Sequence, residues 1–387
     1  MKIIIFDGSF KTTTFINRLI EGLSIEHEVF VIGFNEKVKS KIANINYVGL
    51  GSNDSKILFV KRSAQLRGLN FIKQFKFILQ LFKGLKSDIV QDNIQLAINT
   101  IQPDIIHFQW VSVLNYSKDL KLPTHTRTIF SQRGFHINVR PFINSGNMLF
   151  LNKIFRKLDG FHSVSKAIQK KSNEIYASAS KIDRVVYSGF NIDMFRFKKT
   201  WNTNKKIHIL SIGRDHWNKD FRTAILAMDL LKTSKIDFHY TIVGIDKSEE
   251  LLYLVNDLNL KNSITFMDKI SQDKVYEKML ESDLFLLPSV EEGIANVCIE
   301  AMLSKLPVLS TDCGGMSELI SDNETGFLVP TRSSEAVADK IEFFSKLQEK
   351  DISQIVKAAY EKAKNQHNCE QMINGMISLY KKVYENN

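Results

Sequence analysis

Short apolar runs recur down this chain, each followed by a stretch of helical spacing, and they fall into two series separated by a polar gap. The first series places strands at residues 2–6, 28–32, 105–108 and 128–131, with a shorter pair near 160–164 and 184–187. Helical stretches such as 15–23 lie between them. The second series places strands at 207–212, 238–243, 263–267, 284–287, 308–310 and 327–329. Parallel strands need a crossover to join them, and a helical crossover also covers the sheet, so this alternation predicts mostly parallel sheets buried on both faces. Two series predict an α/β chain of two Rossmann-like domains. Residues 196–206 are polar and aperiodic and read as a linker, and from residue 335 onward the pattern is helical. With 387 residues and 44% apolar composition, the chain has enough material for two cores.

Three segments of the second series carry chemistry. In Ser289-Val-Glu-Glu-Gly-Ile-Ala-Asn-Val-Cys-Ile-Glu300, which follows the apolar run 284–287, a strand leads through a Glu-Gly turn into a helix expected from Ala295 onward. Glu292 and Glu300 stand at the two ends of this unit. At ~1.5 Å per helical residue they are on the order of 10 Å apart, about the reach of a sugar joined through phosphates to a ribose. In the segment at 207–220 a strand ends at Gly213 and is followed by Arg214 and Lys219, two cations suited to a diphosphate. In the segment at 306–318 a strand runs into Gly314 and Gly315, whose N–H groups, with that of Met316, are expected to face an anion. All three turns fall at the carboxyl ends of parallel strands, where open α/β sheets bind ligands.

Taken in order, Gly213-Arg214 with Lys219, Glu292-Gly293 with Glu300, Pro307-Val308, Gly314-Gly315 with Glu318, and Thr325-Gly-Phe-Leu-Val-Pro330 resemble the retaining, nucleotide-sugar-dependent glycosyltransferases of group 1, or family four. The resemblance covers residues 207–330. It implies the GT-B architecture: two Rossmann-like domains facing a cleft, with a final helix near 371–384 crossing back to the first domain. On that architecture residues 1–195 form an acceptor-binding domain, 206–365 the nucleotide-sugar domain and 366–387 the crossover helix. It further implies Arg214, Lys219 and Glu292 as catalytic residues. Gly213, Gly293, Ile294, Asn296, Glu300, Gly314 and Gly315 complete the donor site, with Glu300 on the ribose. The resemblance implies transfer with retention, a nucleoside-diphosphate-sugar as substrate, no cofactor and no metal. A saccharide or lipid-linked saccharide is the implied acceptor, in bacterial surface polysaccharide or glycolipid assembly.

The first half matches that family more loosely, through Pro103-Asp-Ile-Ile-His107, Ser131-Gln-Arg-Gly134, Phe161-His-Ser-Val-Ser165 and Val185-Val-Tyr-Ser-Gly-Phe-Asn191. Where many members carry His-Gly, this chain has Arg133-Gly134, with His136 two residues on. Where a Gly-Gly pair usually follows the first strand, it has Asp7-Gly-Ser-Phe-Lys-Thr-Thr-Thr14. Arg133, His136, Lys11 and Thr12 are therefore the acceptor-side candidates. For His136 and His107 a structural, hydrogen-bonded histidine stands as the alternative. Two rival functions remain open: a nucleotide-sugar epimerase of the same architecture, and a non-catalytic nucleotide-sugar binder.

Charge is distributed unevenly. The chain carries a net +10, and residues 56–87 hold eight cations and no acid. On a helix from about Asn70, Ile72, Phe75, Ile78, Leu79 and Phe82 share one face while Phe71 and Phe77 fall off it. Two readings of 56–87 stay open: a basic amphipathic segment lying on an anionic membrane, or a helix that packs Phe75 and Leu79 into the core with its lysines solvated. A nucleic-acid surface is not expected, since the cations accompany aliphatic residues rather than a stacking platform. No apolar stretch approaches the roughly 18 residues that a membrane span requires. Residues 1–7 read as a short strand and not as a signal peptide. The expected location is cytoplasmic, with peripheral attachment to the inner face of the plasma membrane as an option. Cys298, Cys313 and Cys369 are odd in number and lack paired spacing, which suits a reducing compartment; Cys313 is expected to be a buried filler.

Overall fold

The computed structural model describes residues 1–10, 12–34, 41–197, 200–201, 206–234, 236–245 and 247–386. Lys11 and much of the expected linker, residues 198–199 and 202–205, lie outside them. The chain divides into two compact units: Met1–Val164 with Gln169–Phe190 and Cys369–Asn387, and Asn191–Asn368 with Ser165–Ile168. Residues 191–206 thus go with the second unit, where Trp201 is buried in the core, and the first unit is completed from residue 369 rather than 366.

The first unit is a seven-stranded sheet of β1 (Lys2–Ser9), β2 (Glu28–Phe34), β3 (Asn46–Gly49), β4 (Ile105–Phe108), β5 (Arg127–Gln132), β6 (Gly160–Ser163) and β7 (Ile182–Val185). All pairs are parallel, in the order β3-β2-β1-β4-β5-β6-β7. Ile3, Ile4, Ile5 and Phe6 are all fully buried, as a strand covered on both faces requires. β3 is an edge strand with no fully buried residue, which is why no apolar run marks it in the sequence. The helix Cys369–Glu385 packs on α1 (Thr14–Leu23) and places Met372, Met376, Leu379 and Tyr380 in the same core as Ile3, Ile5 and Ile16.

Between β3 and β4 stand α2 (Lys56–Arg67), α3 (Phe71–Phe82) and α4 (Lys86–Ile101). Ser55 caps α2 by accepting from the Leu58 N–H, and Asn70 caps α3 by accepting from the Lys73 N–H. The core-packing reading of α3 is overturned. Phe77, which lies off the apolar stripe, is the buried aromatic, while Phe75 and Leu79 face solvent.

The second unit is a six-stranded parallel sheet of β8 (Ile207–Ile212), β9 (Phe238–Val243), β10 (Ile264–Met267), β11 (Leu284–Leu287), β12 (Val308–Thr311) and β13 (Phe327–Val329). Its order is β10-β9-β8-β11-β12-β13. Each sheet reverses its winding once, between β1 and β4 in the first and between β8 and β11 in the second. The carboxyl edges at these two reversals are the places where such sheets take ligands. Among the described residues no helix is long and apolar enough to cross a membrane.

Candidate functional site

The three sequence segments of the second half meet at the reversal between β8 and β11. Gly213 extends β8, its N–H donating to the Val243 carbonyl at 2.9 Å. Arg214 follows and is exposed, and among the described residues no hydrogen bond or ion pair holds it. One helical turn, Trp217–Lys219, then turns Lys219 back toward the sheet. Asp220 caps the next helix, Phe221–Thr233, by accepting from the Thr223 N–H at 3.3 Å.

Lys219 donates to the carboxylate of Glu292, and the Ser289 hydroxyl donates to the same oxygen at 2.9 Å. The pair is largely withdrawn from water, with 18% of the lysine side chain and 14% of the glutamate exposed. Backbone links fix the two loops to each other: Val290 N–H donates to the Asn218 carbonyl at 2.8 Å, and the Asn218 amide to the Glu291 carbonyl at 3.2 Å. The Thr311 hydroxyl, at the end of β12, donates to the Ser289 carbonyl. Asn218, Ser289 and Thr311 were not singled out from the sequence. Their position at strand ends was the available signal, but nothing in their spacing says which loop each will clasp.

The glycine turn after β12 lies directly against this loop. At Gly314, where φ is +53°, an added Cβ would sit 1.7 Å from the Glu292 carbonyl oxygen; at Gly315 it would sit 2.1 Å from that of Gly293. Two backbones in such contact leave no room for side chains between them, so both positions demand glycine. Of the N–H groups expected to face an anion, that of Met316 is spent inside the turn, donating to the Cys313 carbonyl at 3.0 Å.

The following helix runs Asn296–Leu303, with Ala295 as its cap, so it starts one residue later than expected. Glu292 sits on the loop before it, as the Glu-Gly turn predicts, so the helical rise used for the Glu292–Glu300 span applies only from Asn296 to Glu300, about 6 Å. Gly293 is buried, Ile294 and Asn296 partly so, and Glu300 is 9% exposed on the second turn. Burial raises the thiols of Cys298, well above its ordinary value, and Cys313, to about 12, so both stay protonated and act as packing groups. Among the described residues no three His, Cys, Asp or Glu side chains gather as a metal site.

At the reversal of the first sheet stands a different cluster. Arg133, just past β5, donates to the Gln109 backbone carbonyl at 2.6 Å and to its side-chain oxygen at 2.9 Å. Its guanidinium lies over the rings of Phe15, at 4.6 Å, and Trp110, at 5.1 Å. The Trp110 indole donates to Asp7 on β1 at 2.6 Å. Burial pushes Arg133 below its ordinary value, and the Asp7 carboxylate opposes that shift. Behind it runs a buried chain of hydrogen bonds: Tyr380 to His107 at 2.8 Å, His107 to Ser131 at 2.7 Å, and Ser131 to His162 at 2.8 Å. Burial, reinforced by the Arg133 charge, holds both histidines neutral, His162 down to about 3. His107 is thus the structural, hydrogen-bonded histidine of the two readings. His136 stands apart on the short helix Phe135–Asn138, its ring against Phe135, and Thr12 bonds to Asn17 before α1. Gln109, Trp110 and Phe15 were missed in the sequence; the Gln-Trp pair directly after β4 was the signal.

The sequence profile of the family described as glycosyl transferases group 1 matches residues 191–362. The amylovoran biosynthesis glycosyltransferase AmsK of Erwinia amylovora is 29% identical over 68% of this chain and 66% of its own length. AmsK and two colanic acid biosynthesis glycosyltransferases, of Escherichia coli and Salmonella typhimurium, are matched over 49 to 66% of their own lengths. Among solved structures, the sucrose-phosphate synthase of Thermosynechococcus elongatus superposes over the whole of both chains with a TM-score of 0.79 at 16% identity. HepE of Anabaena, solved with UDP and glucose, superposes over 99% of this chain and 100% of its own with a TM-score of 0.75 at 17% identity. These likenesses extend the fold to both units.

Proposed function

We infer, from a chain that belongs to the group 1 glycosyltransferases through its residues 191–362, that it moves a sugar from a nucleoside-diphosphate-sugar to an acceptor hydroxyl in bacterial surface polysaccharide or glycolipid assembly. AmsK, by its name, serves amylovoran biosynthesis, and HepE was solved with UDP. The observation that carries the reading is the junction at β8, β11 and β12: an exposed arginine, a lysine held by a carboxylate, and a glycine turn pressed against the loop that bears that carboxylate.

Breaking a glycosidic bond to a diphosphate builds negative charge on the leaving oxygens. Cations fixed before the reaction stabilise that charge without reorganising at the moment of bond cleavage. Glu292 and Ser289 hold Lys219 in one place, and Arg214 remains free to swing onto a phosphate with its two-pronged fork. When the diphosphate arrives it takes over Lys219, which releases the Glu292 carboxylate to accept hydroxyls of the sugar. Glu300, almost buried on the second turn, accepts the ribose hydroxyls. The two cations supply the charge that a divalent metal would otherwise bring, so the reaction needs none; the departing phosphate oxygen takes the proton of the acceptor hydroxyl as the acceptor oxygen bonds to the anomeric carbon from the same face, which retains the configuration. Arg133, its donors committed to Gln109, shapes the acceptor side rather than binding charge there.

The test is a thermal-shift panel of nucleotide-sugars followed by transfer assays with the best binder, with the anomeric outcome read by NMR. Binding raises the melting temperature by mass action. A donor that binds and is transferred, with loss of transfer in Lys219→Ala, supports the reading. A donor whose sugar changes configuration with no acceptor present turns it into an epimerase, and binding with neither outcome turns it into a binder.

A further inference from the structure

α3 is an amphipathic helix mounted with its sides reversed. Phe71, Ile72, Phe75, Ile78, Leu79 and Phe82 all face solvent, from 44 to 86% exposed. At 3.6 residues per turn these six fill an arc of roughly 120°, and Phe71 lies within it, contrary to the expectation that it falls off that face. The inward side is mostly polar. Gln74 donates to the carbonyls of Ala64 and Gly68, at 3.0 and 2.8 Å. Gln80 and Lys76 both reach Asp92 on α4, at 2.9 and 3.1 Å. Phe77 alone among the aromatics turns in, beneath the Arg67 guanidinium at 4.5 Å. Polar tethers therefore hold the helix so that its apolar stripe points away from the body. Leu69, in the turn before it, is fully exposed, and Ile57 on α2 is 81% exposed.

An apolar surface of this extent marks a binding face. Its charge identifies the occupant. Lys61, Lys73, Lys83 and Lys86 are exposed on and around α3, and no acid occurs from residue 56 to 87. A second copy docking by two-fold symmetry would set this one-signed surface against itself. A nucleic acid would meet the cations but leave the aromatic and aliphatic stripe in water. A sheet of anionic lipid headgroups over an acyl interior matches both halves.

We propose that α3 lies in the plane of an anionic membrane surface, with Phe71, Phe75 and Phe82 at the acyl boundary and the surrounding lysines among the headgroups. The inference stands apart from the donor chemistry of the second unit, and it brings the enzyme to the surface where a lipid-linked acceptor would be found.

The test is flotation of the full chain with vesicles of phosphatidylcholine, with and without phosphatidylglycerol. The protein floats with the anionic vesicles, and rising salt releases it as screening shortens the reach of the lysines. Lys83→Gln, at a position just outside the apolar arc, weakens partition onto anionic vesicles by about fivefold. Phe75→Ser with Phe82→Ser weakens it by about tenfold or more. Both residues are exposed, so the fold survives, and an unchanged circular dichroism spectrum and melting temperature verify it. Phe75→Trp gives an emission that moves to the blue only with anionic vesicles. Failure of the wild-type chain to float with them overturns the proposal, as does unaltered flotation of the double serine variant. So does sedimentation showing a dimer that the serine variant breaks, which would make the stripe a contact between copies. None of these results bears on nucleotide binding, which is read separately in the same samples.

Discussion

The carboxyl edge between β1 and β4 and that between β8 and β11 are equivalent places in two sheets of the same winding, and they are furnished in opposite ways. In the first, Arg133 is clamped between two aromatic rings, hydrogen-bonded twice to Gln109 and backed by buried histidines. In the second, Lys219 has a carboxylate partner, Arg214 beside it stands in water, and glycines keep the backbones in contact. A cation whose donors are already committed is a structural group. One left uncommitted, or held by a single exchangeable partner, is available to a ligand. The second edge keeps charge uncommitted or singly held, and the first has largely satisfied its own.

The largest effect that tests this contrast is on backbone contact. Gly314→Ala forces a Cβ against the Glu292 carbonyl at a positive φ, and we expect a loss of about 4 kcal/mol in the second unit, measured by urea denaturation. A variant of near-native stability would mean that the two loops separate easily. Next, Lys219→Ala lowers turnover by about 100- to 1000-fold and, since it leaves the largely buried Glu292 carboxylate without its cation, costs about 3 kcal/mol of stability. Full turnover in the fraction that stays folded would reassign the lysine to structure.

Arg133→Met should cost stability alone. It strands the Gln109 oxygens and removes the cation near Asp7, costing about 2 kcal/mol in the first unit, with nucleotide-induced thermal shifts unaltered. A donor-binding defect in this variant would erase the distinction between the two edges.

Smaller still is the pH dependence of the first unit. His107 and His162 are held neutral when folded and take up protons near their ordinary value of ~6.5 once unfolded. Below that value, and down to about 3 for His162, the unfolded chain binds more protons, so stability falls as pH falls. Each histidine contributes up to ~1.4 kcal/mol per pH unit. His162→Asn should make the acid limb of the melting profile shallower, and an identical limb would show that other groups set it. The least change is expected from Arg214→Ala, within about 0.5 kcal/mol of native stability because its side chain is exposed.

Most strands of both sheets could be read directly, because a parallel strand buried on both faces writes itself as an unbroken apolar run: 207–212, 238–243 and 284–287 match β8, β9 and β11 to the residue. β3 could not, since an edge strand half in water has no such signature. For α3 the stripe was visible and its direction was not. Periodicity gives the angular width of an apolar face, but which side meets the body was decided by Gln74, Lys76 and Gln80, whose partners lie in α2, its following turn and α4. At the second reversal, glycines and charges at strand ends drew attention to Gly213, Lys219, Glu292 and Gly314. The clasp made by Asn218, Ser289 and Thr311 depends on which strands become neighbours, and strand order is not written in any one segment. The Arg133 cluster was half legible for the same reason: Arg133 was named, while the adjacent Gln109 and Trp110 and the distant Phe15 come from two other places in the chain.

The helix Cys369–Glu385 has a consequence for how the protein is made. Its Tyr380 closes the hydrogen-bonded row through His107, and its methionines fill the core beneath α1. A ribosome must therefore translate the whole of the second unit before the first can finish folding. During that interval β1, β4 and β5 wait with one side uncovered, while the unit begun later can reach its final structure earlier. Order of synthesis and order of completion run in opposite directions, and the oldest part of the nascent chain is the last to become safe from aggregation.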